Sequence, residues 1–196
     1  MRPVTAPTLP ERDDHLVVRA TRGDRHALEE LFRRYRDPAY RVAYRLLGNT
    51  EDALDAVQDG FIKALTHLRG FEYRCSFKTW LLRVVSNAAL DLGRQRRRRD
   101  ELSAAVTERT TPDGGSTPDH ADPGREAEEN DLRQALNEAL RLLPEAQRRT
   151  FVLHVDGGLS YREVAEAMGI SIGTVMSRLF YARQKLKGML ASRVQV

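Results

Sequence analysis

Small hydroxyl side chains and arginines occur close together near the C-terminal end of the chain, in a pattern typical of DNA-reading helices. Ser171 and Thr174 open a helical stretch that continues through Ser177, with Arg178 beside them. Hydroxyl and guanidinium groups at the start of an exposed helix can bind phosphates and base edges in the major groove. The chemistry indicated here is nucleic-acid recognition, without a catalytic group.

The residues around this stretch have the spacing of a helix-turn-helix. Ala165 is a small residue where two helices approach, Gly169 permits the turn, and Val175 anchors the second helix. Ser160 and Glu163 predict a capping box for the first helix. The alternative is a helical hairpin that binds no DNA, in which the charges form a solvated face. The expected buried stripe of the second helix is Val175, Leu179, Ala182 and Leu186.

Helical periodicity also dominates the first half of the chain. Asp37-Pro38 predicts an interruption, Gly48-Asn49 the end of one helix, and Thr50 the cap of the next. Ser76 predicts the cap of a last, strongly apolar helix. Because no segment alternates like a strand, the expected fold is all-α, with two small helical domains joined by a flexible acidic linker.

The net charge of +4 conceals a segregation of charge along the 196 residues. Residues 1–99 carry +7, residues 100–131 carry −8, and residues 132–196 carry +5. Two basic segments separated by an acidic one favour polyanionic partners. The acidic segment is rich in Gly, Pro, Ser and Thr, which predicts a linker that does not pack.

Several functional classes are excluded by composition. The one cysteine, Cys75, permits no internal disulfide, and five scattered histidines offer no metal-ligand spacing. No phosphate-binding glycine loop or nucleophile motif occurs. We therefore expect no enzyme activity, cofactor, metal or small-molecule substrate. We also expect no export signal and no direct membrane insertion, hence a soluble cytoplasmic protein.

These patterns divide the chain into four segments. We expect a disordered tail over 1–12, a first helical domain over 13–99, a flexible acidic linker over 100–127, and a helix-turn-helix domain over 128–196.

Two sets of motifs resemble those of the sigma-70 family. Residues 51–61, EDALDAVQDGF, resemble its polymerase-binding helix. Residues 75–81, CSFKTWL, and 87–91, NAALD, with the arginine run after them, resemble its promoter-melting segment. Residues 143–148, LPEAQR, and 158–161, GLSY, complete the match. The two-domain form with a short linker is similar to the extracytoplasmic-function (ECF) sigma factors.

The resemblance implies that the chain binds bacterial RNA polymerase core through an exposed helix face. Asp55, Gln58, Asp59 and Ile62 are spaced to share one side of that helix. Without the resemblance, a solvated acidic face is the simpler interpretation. The expected polymerase-binding residues are Asp55, Val57, Gln58, Asp59 and Ile62.

The resemblance also implies that the helix after Ser76 recognises and melts the minus-ten promoter element. The loop 69–75 would capture a base flipped from the duplex. Trp80 is expected to belong mostly to the core, with stacking on an unpaired base as the alternative. The expected minus-ten residues are Arg74, Lys78, Trp80, Arg83, Asn87, Arg94 and Arg97.

By the same resemblance, the helix-turn-helix reads the minus-thirty-five element. Its hydroxyls and arginine would approach base edges, while the other basic side chains neutralise phosphates. The expected residues are Arg162, Ser171, Gly173, Thr174, Ser177, Arg178, Arg183 and Lys185.

The predicted function is promoter-specific transcription initiation. The expected partners are core RNA polymerase, promoter DNA and an anti-sigma factor. A helix-turn-helix regulator without polymerase contact is the main alternative, and a DNA-modifying enzyme has no candidate site. A further hypothesis is that the acidic linker enters the RNA-exit path, against the simpler role of a spacer.

Overall fold

The computed structural model describes residues 12–106 and 134–194, which form helices joined by short turns. No strand occurs among these residues, and the expected all-α class is confirmed for them. Over the same residues no helix is both long and apolar enough to cross a membrane. The helices are α1 Asp13–Thr21, α2 Arg25–Leu47, α3 Thr50–His67, α4 Phe77–Val106, α5 134–141, α6 Glu145–Val155, α7 Tyr161–Met168 and α8 Ile172–Val194.

Helices α1–α4 form the first half, and local signals set most of their ends. Asp24 caps α2 by accepting from the backbone N–H groups of His26 and Ala27. Gly48 ends α2 with a left-handed φ of 81°, as its sequence position predicted. Ser76 accepts from the Thr79 N–H at the start of α4, which confirms the predicted cap.

Helix α2 continues through Pro38, so the predicted interruption at Asp37-Pro38 is wrong. Proline inside a helix removes one backbone hydrogen bond, at a cost of about 3 kcal/mol. Tyr35, Ala39 and Val42 on either side of it are buried in one core. This continuous apolar face offsets the missing hydrogen bond.

Two helix ends differ from the sequence prediction. Asn49, not Thr50, caps α3 by accepting from the Asp52 N–H, because the asparagine side chain also reaches that position. Helix α4 continues beyond Arg99 to Val106, so the helical part extends into the segment predicted as linker. Glu, Leu and Ala in 101–105 are strong helix formers. The rest of the linker, 107–127, and the tail before Arg12 lie outside the described residues.

Helices α5–α8 form the second half, in which α7 and α8 make the predicted helix-turn-helix. The capping box of Ser160 and Glu163 is present, and Gly169 has a left-handed φ of 65° in the turn. Ser171 accepts from the Thr174 N–H at the start of α8. The predicted stripe is buried throughout: Val175, Leu179, Ala182 and Leu186.

The two halves pack against each other rather than standing apart. One cluster of buried apolar residues includes Leu82 and Val85 of α4 together with Val152 and Leu153 of α6. Gly157 lies so close that a Cβ atom there would be 3.2 Å from Leu82 Cδ1. The residue Gly157 therefore permits a tight contact between α4 and the end of α6.

Candidate nucleic-acid interface

The start of α8 presents small polar groups on an exposed surface. Ser171, Gly173 and Ser177 are exposed, and Thr174 is half-buried. Ser171 Oγ and Thr174 Oγ1 lie 2.9 Å apart, and Ser177 Oγ donates to Gly173 O at 2.7 Å. These local bonds orient the hydroxyls and leave lone pairs free to accept. The expected minus-thirty-five residues at this helix start therefore lie together on the surface.

Basic side chains flank this helix start. Arg162 pairs with Glu166 at 3.1 Å, and Arg178 is half-buried. Arg183 is exposed and donates from Nη1 to the Tyr161 hydroxyl at 3.4 Å, and Lys185 is also exposed. Cations therefore occur on both helices of the helix-turn-helix that carries the exposed hydroxyls, where they can neutralise phosphates.

Helix α4 carries a second row of predicted DNA-binding residues. Helical spacing relates Arg83, Asn87, Arg94 and Arg97, and all four are exposed. Arg74 lies outside the helix, in the preceding loop, and pairs with Glu72 at 2.6 Å. The row consists of cations interrupted by one amide, the composition of a surface that binds phosphates and reads a base.

Trp80 lies in an aromatic cluster at the start of α4. Its ring centroid is 5.2 Å from that of Phe71 and 5.8 Å from that of Phe77. Phe71 and Phe77 are buried, whereas Trp80 is half-buried. The expectation that Trp80 belongs mostly to the core agrees with this packing, although the residue is not fully buried.

The loop before α4 contains an aromatic residue that sequence reasoning did not select. Tyr73 is 49% exposed and has a left-handed φ of 56°, a conformation that non-glycine residues seldom adopt. Its ring lies 4.8 Å from Phe71. Cys75 in the same loop is half-buried, and burial, followed by the charge of Glu166, raises the pKa of its thiol. The loop therefore displays an aromatic ring and keeps its thiol protonated.

Three of the predicted α4 residues contact the second half of the molecule. Lys78 Nζ donates to Gly158 O at 3.0 Å. Asn87 Oδ1 accepts from Arg149 Nη2 at 2.6 Å. Arg94 Nη2 lies 2.5 Å from Glu145 Oε1, and its hydrogen bond lowers the pKa of that carboxyl. These intramolecular partners were not anticipated, because nothing local in the sequence marks residues so far apart.

The predicted polymerase-binding face of α3 is exposed and chemically mixed. Asp55, Gln58 and Asp59 are exposed, and Val57 is half-buried. Ile62 is 54% exposed beside them. Asp59 pairs with Lys63 at 2.7 Å on the same helix. Exposed apolar side chains next to acidic ones are typical of a protein-binding surface.

Exposed leucines extend this face beyond the predicted residues. Leu54 is 55% exposed and Leu65 is 40% exposed, both on α3. Leu54 lies one helical turn before Gln58, and Leu65 lies one turn after Ile62. Helical periodicity in the sequence therefore also places both leucines on this face. One arginine of the run 96–99 has a structural contact. Arg96 Nη1 lies 2.7 Å from Oδ2 of the buried Asp52, and this ion pair joins α4 to α3.

Two family profiles match the chain, in the order that its motifs indicate. Residues 31–99 match sigma-70 region 2, and residues 133–186 match sigma-70 region 4. The ECF RNA polymerase sigma factor SigW of Bacillus subtilis (strain 168) is 30% identical over 176 residues. This similarity covers 89% of the present chain and 94% of SigW.

Two solved structures have a similar fold. CnrH, in complex with the cytosolic domain of CnrY, is matched with a TM-score of 0.69 and 26% identity, over 93% of this chain and 99% of that one. The sigma factor RpoE in complex with the anti-sigma factor NepR, from Bartonella quintana, is matched with a TM-score of 0.58 and 27% identity. That match covers 78% of this chain and 89% of RpoE.

Proposed function

The chain belongs to the ECF sigma factors of the sigma-70 family, and on this basis we propose which of its surfaces carry out the family's function. It is an RNA polymerase sigma factor, a transcription initiation factor whose partners are core RNA polymerase and promoter DNA. We assign polymerase binding and minus-ten recognition to 13–99, extended by the end of α4, and minus-thirty-five recognition to 128–196. The factor acts with the polymerase in the cytoplasm.

The observation that carries the assignment is the presence of two polar, cationic helix faces in one chain. The row on α4 offers an amide at Asn87 and guanidinium groups at Arg83, Arg94 and Arg97. The start of α8 offers hydroxyls supported by Arg162 and other cations. Phosphate contacts on both faces supply affinity, and the amide and hydroxyl groups supply selection between bases.

Promoter melting is assigned to the loop and aromatic cluster at the start of α4. Tyr73 is exposed, and Trp80 is only half-buried. A base that leaves the duplex can stack on such rings, which lowers the free energy of the melted state. The chain therefore opens DNA by capturing unpaired bases, and Lys78 and Arg83 bind the backbone of that strand.

Recognition of the minus-thirty-five element is assigned to the start of α8. Ser171, Thr174 and Ser177 would face base edges, and Gly173 permits close approach of the helix backbone to the DNA. Arg162, Arg178, Arg183 and Lys185 bind phosphates on either side.

Binding to core polymerase is assigned to the α3 face. Asp55, Gln58 and Asp59 supply polar specificity, while Ile62 and Val57 supply apolar area that contact with the polymerase would bury. Both structural neighbours are bound to a second protein, and NepR is an anti-sigma factor. We assign an anti-sigma factor to this chain as a further partner.

Run-off transcription with core polymerase tests the proposed function. Addition of the chain should produce transcripts from a subset of genomic promoter fragments. Reversing Asp55 and Asp59 to lysine should lower the yield by about tenfold or more, as expected for the centre of an interface. Glu29→Lys, which reverses an exposed carboxylate on α2, is the control and should retain activity.

Two results would contradict the assignment. If no fragment gives a transcript that depends on the chain, the sigma function fails. If the double lysine variant transcribes as well as Glu29→Lys, the polymerase contact lies on another surface.

A further inference from the structure

The second half of the molecule lies on the face of α4 that carries the proposed minus-ten residues. Arg149 donates to Asn87 Oδ1 at 2.6 Å and, through Nε, to Ser86 Oγ at 3.2 Å. Arg94 is held by Glu145 at 2.5 Å. The amide oxygen and one guanidinium that would meet DNA are thus already bonded within the chain.

The start of α4 is covered in the same way. Lys78 donates to Gly158 O, and Thr79 Oγ1 donates to Glu163 Oε1 at 3.3 Å. Between these polar contacts, Leu82 is fully buried and lies against Gly157. Polar contacts along α4 therefore surround an apolar centre, the arrangement of a specific protein interface.

We propose that this packing is an autoinhibited state, in which α6, α7 and the turn between them block the minus-ten face of α4 until the two halves separate. The proposal rests on the assignment of minus-ten recognition to α4. A single strand of DNA and the second half cannot both occupy Asn87 and Arg94, so binding of one excludes the other.

One of the polar contacts adds little to the stability of the closed state. The side chains of the Arg94–Glu145 pair are 49% and 38% exposed, and an ion pair that exposed contributes little to stability. The closed state also brings Arg149 towards Arg83, and burial, together with the charge of Arg83, lowers the pKa of Arg149. This repulsion disfavours the closed state, and DNA that competes with the second half for Asn87 and Arg94 shifts the equilibrium towards the open state.

One inter-half contact involves none of the proposed DNA-binding residues and can be altered separately. Arg45 Nε lies 3.1 Å from Asp156 Oδ1, and Arg45 Nη1 donates to Asn137 Oδ1 at 2.7 Å. The side chains of Arg45 and Asp156 are only 21% and 13% exposed. Removing one partner of a pair that is largely buried destabilises the closed state more than removing an exposed one.

The test uses the full chain and two DNA probes from a promoter mapped by run-off transcription. One probe is the single strand carrying the minus-ten element, and the other is a duplex carrying the minus-thirty-five element. Asp156→Arg places like charges together and should expand the chain in small-angle X-ray scattering. Its affinity for the single strand should rise by about tenfold, because the competent state is no longer the minor one. Its affinity for the duplex should not change.

The exchanged variant, Arg45→Asp with Asp156→Arg, should restore both the compact size and the weak single-strand binding. Glu145→Arg, which repels Arg94 at a second place in the interface, should open the chain independently. Glu29→Arg is the control for a charge reversal elsewhere, and far-UV circular dichroism checks that each variant is folded.

The possible outcomes separate the proposal from the function on which it rests. If Asp156→Arg and Glu145→Arg expand the chain without stronger single-strand binding, autoinhibition is overturned. It is also overturned if neither variant expands the chain. If the opened variants bind neither probe, the assignment of the DNA faces itself fails.

Discussion

The two DNA-facing helices have similar chemistry and different surroundings. Helix α8 presents Ser171 and Ser177 to solvent, and the polar contacts there are local. Helix α4 has its amide and one guanidinium bonded to side chains 62 and 51 residues away in the chain. The side-chain composition of a helix face therefore indicates what the face can bind. Its contacts with the rest of the molecule determine whether it is available for binding.

The largest expected difference between the two regions is in their tolerance of added volume. A Cβ atom at Gly157 would lie 2.6 Å from Leu153 O and 3.2 Å from Leu82 Cδ1. Gly157→Ala should therefore lower the free energy of unfolding by about 1–3 kcal/mol. A Cβ atom added at Gly173 would lie 3.8 Å from Ser171 Oγ, an ordinary van der Waals distance. Gly173→Ala should cost less than about 0.5 kcal/mol, since exposed sites tolerate substitution.

Chemical denaturation of both alanine variants, monitored by circular dichroism, measures this difference. Equal midpoints for the two variants would mean that the surroundings of Gly157, formed by Leu153 and Leu82, are not tightly packed in solution.

Local signals explain which parts of this structure could be predicted from the sequence. The caps at Ser76, Ser160 and Ser171 depend on a side chain and a backbone group three residues apart, so the sequence order is enough to find them. The continuation of α2 through Pro38 could not be predicted, because the burial of residues on both sides of the proline is a tertiary property. The same is true of Arg149, whose bond to Asn87 depends on how the two halves meet.

The candidate sites were predicted in the same uneven way. The acidic and amide residues on α3 and the hydroxyls on α8 follow from helical periodicity, and the structure leaves them on the surface. The sequence does not single out Tyr73. Its backbone is left-handed, and such a conformation is normally indicated by a glycine or an asparagine at that position.

A smaller effect is expected for the phosphate contacts proposed for α8. Arg183→Ala should weaken binding of the minus-thirty-five duplex about equally for all sequences. It should also reduce the slope of log affinity against log salt by about 1, because one phosphate contact is lost. Arg25→Ala, an exposed arginine on α2, should leave the slope unchanged. Titrations at several salt concentrations give both slopes, and identical slopes for the two variants would remove Arg183 from the DNA contact.

The smallest expected effect is a pH dependence confined to the covered face. The hydrogen bond from Arg94 holds the pKa of Glu145 below its ordinary value in the closed state. Because the closed state binds fewer protons there, this contribution to closure is present above the ordinary glutamate range and is lost as the pH falls through the lowered pKa. Wild type and Glu145→Gln should therefore differ in compactness at neutral pH and converge in acid. A constant difference in scattering radius from neutral to acidic pH would argue against this pair.

The hydrogen bond between Arg149 and Asn87 gives the most direct test that the second half covers the proposed minus-ten residues of α4. Asn87→Ala should weaken binding of the minus-ten single strand by the full chain, since a base contact is lost, at about 1–3 kcal/mol. Arg149→Ala should strengthen the same binding, since it releases Asn87 without touching DNA. Fluorescence anisotropy with the labelled strand measures both. Opposite signs are the result predicted here, and weaker binding by both variants would contradict it.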